Sequence, residues 1–191
     1  MKNYLLIMTV ILAVAMGSCN EPTERKLQKV DIKEITDNTV KLFNDDWGVV
    51  TAGDGETFNP MTISWGGLGV LWGYPVATIY IRNTRYTYQF LEDGNYFTIC
   101  VFDENYRETT QYWGTVSGRD EDKIQKSKLT PVKTDLGNLY FEEARLVIEC
   151  EKIYADELSK DKILDEKAQG FYAEDYHVMF VGKIINVWEK K

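Results

Sequence analysis

The stretch Met61-Thr62-Ile63-Ser64-Trp65 alternates apolar and polar residues along its length. A period of two places successive side chains on opposite faces of an extended chain, so this stretch predicts a strand with one buried face. A second strand is predicted at residues 76–81, which are rich in β-branched side chains. Between the two, residues 65–73 contain four glycines and predict a loop or a bent segment.

The same criteria, applied outward from this stretch, predict a chain dominated by short strands. Further strands are expected at residues 46–51, 96–102, 139–153 and 177–188, with 139–153 the longest. Short helices are expected at residues 36–43, 84–91, 107–113 and 120–126, with Thr84 and Asp120 as N-terminal caps. The charged residues 154–167 are expected to form a helix or an excursion from the fold. This order predicts a mainly β, α+β fold of the barrel type with short peripheral helices.

The composition excludes several classes of function. The chain has 191 residues and a formal net charge of −8, from 22 Lys and Arg against 30 Asp and Glu. Without a basic stripe, a nucleic-acid partner is not expected. A single histidine excludes a zinc site with two histidine ligands, and no metal site is predicted. Cys100 and Cys150 each end an apolar run, which favours buried thiols and leaves a disulfide open.

The N-terminus resembles an export signal. Lys2 precedes an apolar run of about a dozen residues, and Gly17-Ser18 lead into Cys19. This arrangement resembles a bacterial lipobox, although Met16 stands where leucine is more usual. The prediction is lipid attachment at Cys19 and a location in the cell envelope, anchored to a membrane. An ordinary signal peptide with an incidental cysteine is the alternative. The predicted parts are a signal peptide at 1–18, a flexible tether at 19–33 and a domain at 34–191.

The distribution of acidic residues indicates a local positive site in this acidic chain. Residues 57–91 contain no Asp or Glu, although the chain average predicts about five or six in such a window. The window holds Arg82-Asn83-Thr84-Arg85 at a predicted junction between strand and helix. Two guanidinium groups, threonine hydroxyls and a helix N-terminus are groups that bind phosphate. The alternative is a surface arginine pair at the end of a strand.

A second candidate anion site lies further along the chain. Ser117-Gly118-Arg119-Asp120 precedes Lys123 by one helical turn. Taken alone, this segment is more typical of a helix capped by Asp120 with solvated charges around it.

Four short motifs in the right order resemble the flavin reductase-like, FMN-binding split-barrel family that includes flavoredoxin. They are Asn59-Pro60-Met61-Thr62-Ile63-Ser64-Trp65, then Arg82-Asn83-Thr84-Arg85-Tyr86-Thr87, then Gly114-Thr115-Val116-Ser117-Gly118-Arg119-Asp120 with Lys123, and Tyr176-His177 leading to Gly182. The resemblance covers residues 46–187. It implies a split β-barrel that forms a homodimer, with FMN in a groove at the dimer interface.

The resemblance also implies roles for particular residues. The backbone of the strand Met61, Thr62, Ile63, Ser64 and Trp65 would lie along the isoalloxazine ring, with the Thr62 and Ser64 side chains pointing at it. The phosphate would be held by Arg82, Thr84, Arg85 and Thr87, with Ser117 and Lys123 on the phosphate or the ribityl chain. His177 would lie near the flavin or a nicotinamide, or would be a barrel histidine without a function. No side chain is expected to be a firm catalytic residue, because the flavin carries the redox chemistry.

Predicted export conflicts with one implied property. Reductases of this family take hydride from NADH or NADPH, which are cytoplasmic. We therefore expect an FMN-binding oxidoreductase whose donor is NAD(P)H or another reductant. An electron-transfer flavoprotein served by a redox partner protein is a second possibility, and a non-enzymatic lipoprotein that binds another ligand in the groove is a third.

Overall fold

The computed structural model describes residues 26–191. Its strands are β1 (Leu27–Lys29), β2 (Gly48–Gly53), β3 (Phe58–Ile63), β4 (Gly66–Leu71), β5 (Tyr74–Arg82), β6 (Tyr96–Val101), β7 (Pro131–Lys133), β8 (Leu139–Phe141), β9 (Leu146–Glu157) and β10 (His177–Lys190). Its α-helices are α1 (Thr39–Lys41), α2 (Tyr86–Asp93), α3 (Arg107–Thr115), α4 (Lys123–Ser127) and α5 (Glu166–Gln169). Helix α1 continues as a π-helical turn (Leu42–Asp46). Short 3₁₀ turns lie at Ile32–Glu34, Glu104–Tyr106 and Lys160–Lys162.

Eight strands form one antiparallel sheet that curls into a barrel. The path runs β3-β2-β6-β9-β10-β5-β4, and β1 pairs with the C-terminal end of β10. The two ends of the path, β3 and β4, are separated along the chain only by Ser64 and Trp65. The sheet must therefore curl so that its first and last strands lie close together. The prediction of a mainly β barrel with short helices is confirmed.

Both faces of the sheet are buried. The inner face packs fully buried aliphatic and aromatic side chains into the main core, among them Val50, Ile79, Ile99, Ile148 and Phe180. The outer face carries a second core in which α3 and β8 cover the sheet, formed around Cys100, Phe102, Trp113, Phe141 and Val147. Burial on two faces explains why β6 and the first residues of β9, Leu146 to Ile148, are largely apolar.

A buried carboxylate fixes the β7–β8 hairpin to this sheet. Glu149 is fully buried and its Oε1 accepts hydrogen bonds from Thr134 Oγ1 at 2.5 Å and Asn138 Nδ2 at 2.7 Å. Its Oε2 accepts from Asn186 Nδ2 at 2.6 Å. Three donors compensate for the lost hydration of the carboxylate, which would otherwise be costly to bury.

The glycine-rich segment is a strand, where the sequence predicts a loop or a bend. Residues 66–71 pair with β5 along their whole length. A side chain at Gly66 would lie 2.5 Å from a ring carbon of Phe43, so the glycine allows this strand to approach the core. Alternation of side chains cannot reveal a strand in which half of the positions have none.

The helix boundaries differ from the predicted ones in two places. Helix α2 begins at Tyr86 after Arg85, with no side-chain cap, so Thr84 is not its cap. Helix α4 begins at Lys123 and is capped by Asp122, whose Oδ1 accepts from two backbone N–H groups at 3.0 Å. Asp120 instead lies in the preceding turn, because the chain makes that turn before the helix starts.

The predicted long strand at residues 139–153 is two strands. Strand β8 ends at Phe141, and a turn leads into β9, which continues to Glu157 within the predicted excursion. The longest strand is β10, with 14 residues. The C-terminal end of β9 is exposed and polar, and its pairing with β10 keeps it extended.

Cys100 and Cys150 are free and buried, as favoured by the sequence. They belong to the two different cores, on opposite faces of the sheet, which prevents them from forming a disulfide with each other.

Part of the predicted tether is structured. Strand β1 lies within it, and the turn at Ile32–Glu34 spans the predicted boundary at residue 34. The predicted signal peptide and Cys19 lie outside the described residues. In residues 26–191, no helix is both long enough and apolar enough to cross a membrane.

Replacing Gly182 with alanine tests the packing of the barrel. An added Cβ would lie 2.5 Å from Phe97 Cζ and 2.6 Å from Cys150 Cβ, inside the main core. We expect Gly182→Ala to lower the free energy of unfolding by about 1–3 kcal/mol through overpacking. Urea denaturation measures this value. Gly67→Ala is the matched control, because no atom lies within 4 Å of its added Cβ. Equal stability of the two variants would contradict the packing argument.

Candidate functional site

Every predicted ligand-binding residue in the domain lines one of two neighbouring cavities. The first, the β3 cavity, has a volume of about 180 Å³ and is lined by Met61, Thr62, Ile63, Ser64, Trp65, Tyr80, Arg82, Arg85, Gly114 and His177. The second, the α2 cavity, has a volume of about 280 Å³ and is lined by Asn59, Met61, Thr84, Arg85, Tyr86, Thr87, Thr115, Val116, Ser117, Gly118, Arg119, Asp120 and Lys123. The two cavities are adjacent, because Met61 and Arg85 line both of them. A larger cavity of about 500 Å³ lies beside Lys26 and Tyr140, but no predicted residue lines it.

Arg85 is the cation at the junction of the two cavities. Its Nη2 donates to the Gly114 carbonyl at 2.6 Å, which fixes the guanidinium against the end of α3. Burial lowers the pKa of Arg85, and the nearby charge of Arg82 lowers it further. Among residues 26–191, no salt bridge joins Arg85 to a carboxylate. The site therefore holds a half-buried positive charge that an anion would stabilise.

Lys123 is a second such cation, and it is only 3% exposed. Its Nζ donates to the carbonyls of Pro60 at 3.0 Å and Trp113 at 2.9 Å. Burial lowers the pKa of Lys123 to about 8, with a smaller contribution from the charge of Arg85. An ammonium group has three protons, so two bonds to carbonyls leave one for a ligand.

Hydroxyl and amide groups surround these cations in the α2 cavity. Thr87 is fully buried and its Oγ1 accepts from Asn59 Nδ2 at 2.7 Å, so its own proton is available to a ligand. Ser117 Oγ accepts from the backbone N–H of Arg119 at 3.2 Å. The Arg119 guanidinium lies 5.0 Å from the centre of the Tyr86 ring and donates to the Thr84 carbonyl at 3.2 Å.

Seven residues that line this cavity are absent from the predicted ligand set. Three of them are Asn59, which orients Thr87, and the neighbours Gly118 and Arg119. A side chain at Gly118 would lie 2.0 Å from Asn59 Oδ1, so only glycine lets the loop approach β3. All three belong to motifs that the sequence already shows, but a spacing in the chain does not reveal which loop touches which strand.

The Thr62 and Ser64 side chains differ in their surroundings. Thr62 Oγ1 donates to the Thr110 carbonyl of α3 at 2.5 Å, and Ser64 is exposed. Met61 and Ile63 are buried in the main core. The predicted alternation holds from Met61 to Ile63, but Trp65 lies outside β3 and is exposed. The proton of the Thr62 hydroxyl is already used within the protein.

Arg82 has partners other than those expected for a phosphate ligand. It lines the β3 cavity but not the α2 cavity, which contains the other three residues of the predicted phosphate set together with Ser117 and Lys123. Its Nη1 forms a salt bridge of 2.5 Å with Asp175, and its Nη2 donates to the Phe171 carbonyl at 2.8 Å. The Arg82 charge is thus compensated within the chain, and Arg85 is the uncompensated member of the pair.

His177 lies in the β3 cavity as a neutral ring. Its ring centre is 4.7 Å from that of Trp65, and its Nδ1 is 3.1 Å from the Tyr172 hydroxyl. Burial lowers the pKa of His177 to about 4, and the charge of Arg82 acts in the same direction. Near neutral pH this ring can therefore offer a hydrogen bond but no charge.

A model of the flavin reductase like domain matches residues 41–191, which is most of the chain. The chain belongs to the flavin reductase-like family. Several solved structures share its fold. The FMN-binding domain of a flavin reductases-like enzyme from Shewanella baltica is 18% identical, with 88% of this chain and 80% of that chain covered and a TM-score of 0.64.

Flavoredoxin of Desulfovibrio vulgaris is 23% identical, with 86% of this chain and 78% of that chain covered and a TM-score of 0.61. An NADH:FAD oxidoreductase from Streptomyces globisporus, in complex with NAD and FAD fragments, is 18% identical, with 75% and 74% covered and a TM-score of 0.56. No curated protein matches the chain. The flavin reductase-like family and the split-barrel fold implied by the four motifs are confirmed. The lipoprotein assignment stays a prediction.

The lowered pKa of Lys123 predicts a pH dependence of stability. The unfolded chain holds this proton up to about the ordinary value of 10.5, whereas the folded chain releases it near 8. The unfolded state therefore binds more protons between these values, so the folded state gains stability as the pH rises through this range. Between pH 7 and 10 we expect the unmodified chain to gain about 2 kcal/mol relative to Lys123→Met. Denaturation of both proteins across this range measures the difference. A constant difference would show that the buried ammonium has an ordinary pKa.

Proposed function

We propose that this chain binds FMN and works as a flavin reductase-like oxidoreductase. The observation that carries this proposal is a pair of cations, the half-buried Arg85 and the buried Lys123, that line the α2 cavity with no carboxylate partner among residues 26–191. A phosphate group brings about two negative charges and three acceptor oxygens, which fits this set of donors. Membership of the flavin reductase-like family supports the same ligand.

The residues present fit FMN as a divided site. Arg85, Lys123, Thr87, Thr84 and Ser117 would hold the phosphate and the ribityl chain in the α2 cavity. The backbone from Met61 to Trp65, which includes the end of β3, would lie along the ring system in the β3 cavity. Bound FMN supplies hydride and electron transfer, so the protein is left to bind, orient and shield it.

The chain's own residues limit what happens around the ring. Trp65 and His177 pack against each other in the lining of the β3 cavity, where they would shield one side of the bound ring system from water. His177 stays neutral, which makes it a hydrogen-bonding residue and not a source of protons near pH 7. We assign binding and orienting roles to these residues and no proton-transfer role to any of them.

The electron donor separates two versions of the proposed function. A reductase takes hydride from NADH or NADPH, whereas an electron-transfer flavoprotein takes electrons from a redox partner protein. The export signal predicted at residues 1–18 favours the second version, because nicotinamide dinucleotides are cytoplasmic. Anaerobic addition of NADH or NADPH to the FMN-loaded protein distinguishes these two versions. Bleaching of the flavin absorbance supports a reductase, and an unchanged absorbance supports an electron-transfer flavoprotein.

A homodimer is part of this proposal. The resemblance implies it, and the β4–β5 hairpin supports it with an exposed apolar surface formed by Val70, Trp72 and Tyr74. Sedimentation velocity of the purified protein tests whether it is a homodimer, because a measured mass of 22.1 kDa would mean a monomer.

The phosphate assignment predicts a difference between two flavins. Arg85→Gln removes the uncompensated charge, so we expect FMN binding to weaken by about a hundredfold, or roughly 3 kcal/mol. Riboflavin, which lacks the phosphate, should bind the variant as it binds the unmodified chain. Quenching of flavin fluorescence measures both affinities. Lys126→Gln is the control, because it removes a cation of α4 that pairs with Glu121 outside the cavity. Equal losses for FMN and riboflavin would refute the phosphate site.

The membrane anchor is tested at Cys19. We propose that the chain is cleaved before this residue and lipidated on it, which ties the domain to a membrane of the cell envelope. Cys19→Ser removes the thiol that would carry the lipid, so labelling by a fatty-acid probe in bacterial cells should disappear. Lipid labelling that persists in the variant would rule out this anchor.

A further inference from the structure

The lining of the α2 cavity is buried in one part and exposed in another. Its buried residues are Asn59, Met61, Thr87 and Lys123. Its exposed residues are Thr84, Thr115, Arg119 and Asp120. Met61 and Arg85 also line the β3 cavity, where the proposed function places the ring system of the flavin. A flavin that continued beyond the α2 cavity would therefore have to leave it between Thr84 and residues 115–120.

Arg119 bridges this exposed part of the lining. Its Nη1 donates to the Thr84 carbonyl at 3.2 Å, and its guanidinium carbon lies 5.0 Å from the centre of the Tyr86 ring. The Tyr86 ring is itself held by an edge-to-face contact with Phe90, with 5.0 Å between the ring centres. A carbonyl and an aromatic face restrain a guanidinium that would otherwise move freely at the surface. Arg119 thus links the turn before α4 to the start of α2 across the exit from the cavity.

The two cations inside the cavity match the charge of a phosphate monoester. Arg85 and Lys123 have no carboxylate partner among residues 26–191. Near neutral pH a monoester such as the FMN phosphate carries about two negative charges on one phosphorus. In the pyrophosphate of FAD each phosphorus carries a single charge. FMN would therefore place its whole charge between the two cations, whereas FAD would place half of it outside them, at the exit that Asp120 lines.

The hydrogen-bond donors of the cavity also suit a monoester. Thr87 Oγ1 accepts from Asn59 Nδ2, and Ser117 Oγ accepts from the backbone N–H of Arg119, so each hydroxyl keeps its own proton for a ligand. Together with the two cations, four side chains offer donors to one phosphate. A monoester has three terminal oxygens that accept hydrogen bonds, whereas each phosphate within a pyrophosphate has only two. The donor set therefore favours a terminal phosphate.

We propose that the α2 cavity selects a flavin that ends in a phosphate monoester, which is FMN, over FAD. Arg119 is the residue that determines this specificity, because it closes the cavity behind the terminal phosphate. Membership of the flavin reductase-like family does not by itself distinguish these two flavins. The inference rests on the proposed function and deepens it, since it names the flavin that the site excludes and the residue that excludes it.

Isothermal titration of the full chain in detergent with FMN, FAD and riboflavin tests this specificity. We expect the unmodified chain to bind FMN more tightly than FAD by about tenfold or more, because FAD must displace the Arg119 guanidinium from Thr84 and Tyr86. Arg119→Ala opens the exit, so binding of FAD should become about tenfold tighter. Binding of FMN should change by less than about threefold, because the groups that hold its phosphate remain.

Lys126→Ala is the matched control for Arg119→Ala. It also removes an exposed cation, but Lys126 lies on α4 and pairs with Glu121 outside the cavity. We expect this variant to keep the ratio of the FMN and FAD affinities of the unmodified chain. If Arg119→Ala shifts this ratio no more than Lys126→Ala does, Arg119 does not close the cavity and the proposal is wrong. Weaker binding of FAD to Arg119→Ala would overturn it as well, because Arg119 would then be a ligand of the pyrophosphate.

The titration with riboflavin separates this inference from the proposed function. If FMN binds more tightly than riboflavin but no more tightly than FAD, the phosphate site stands and the selection against FAD is overturned. If FMN binds no more tightly than riboflavin, the phosphate assignment of the proposed function fails, and the inference fails with it. The two failures therefore give different orders of affinity for the three flavins.

Discussion

The pairing of β10 with β5 is the constraint on which the site depends. Its register places His177 opposite Arg82 and Gly182 opposite Ala77. The first pair brings the last strand of the chain to the cavity beside β3. The second pair needs a glycine, because Phe97 and Cys150 occupy the space that a side chain at position 182 would take. A slip of one residue would turn every side chain of β10 to the opposite face, so packing in the core fixes the geometry of the site.

The electrostatics of the site differ from those of the whole chain. The chain is acidic, yet Arg85 and Lys123 are held in a cavity where neither has a carboxylate partner within the described part of the chain, residues 26–191. Carbonyl groups of Pro60, Trp113 and Gly114 hold these cations in place but do not neutralise them. Such an arrangement costs stability in the ligand-free protein and gains binding energy when an anion arrives. Arg82 differs, because Asp175 neutralises its charge and its hydrogen bonds anchor residues 171–176 to the end of β5.

Much of the fold could be predicted from local sequence. Regular alternation at residues 61–65 and β-branched residues at 76–81 predicted β3 and β5 correctly, because each strand has one dominant buried face. The prediction failed where local rules lose their signal. Glycines concealed β4, since a strand without side chains shows no alternation. Helix α4 starts at Asp122 and not at Asp120, because both aspartates are suitable caps and only the path of the preceding turn decides between them.

The sequence by itself determined the mainly β fold, the family and most of the residues that line the two cavities. These follow from local patterns and short motifs, which the chain carries wherever it folds. Only the tertiary structure decided how these residues divide between the cavities. Arg82 and Arg85 are three positions apart, yet one pairs with Asp175 and the other remains uncompensated. The physical reason is that charge compensation depends on distances through space, and residues 171–176 reach Arg82 only after β10 has paired with β5.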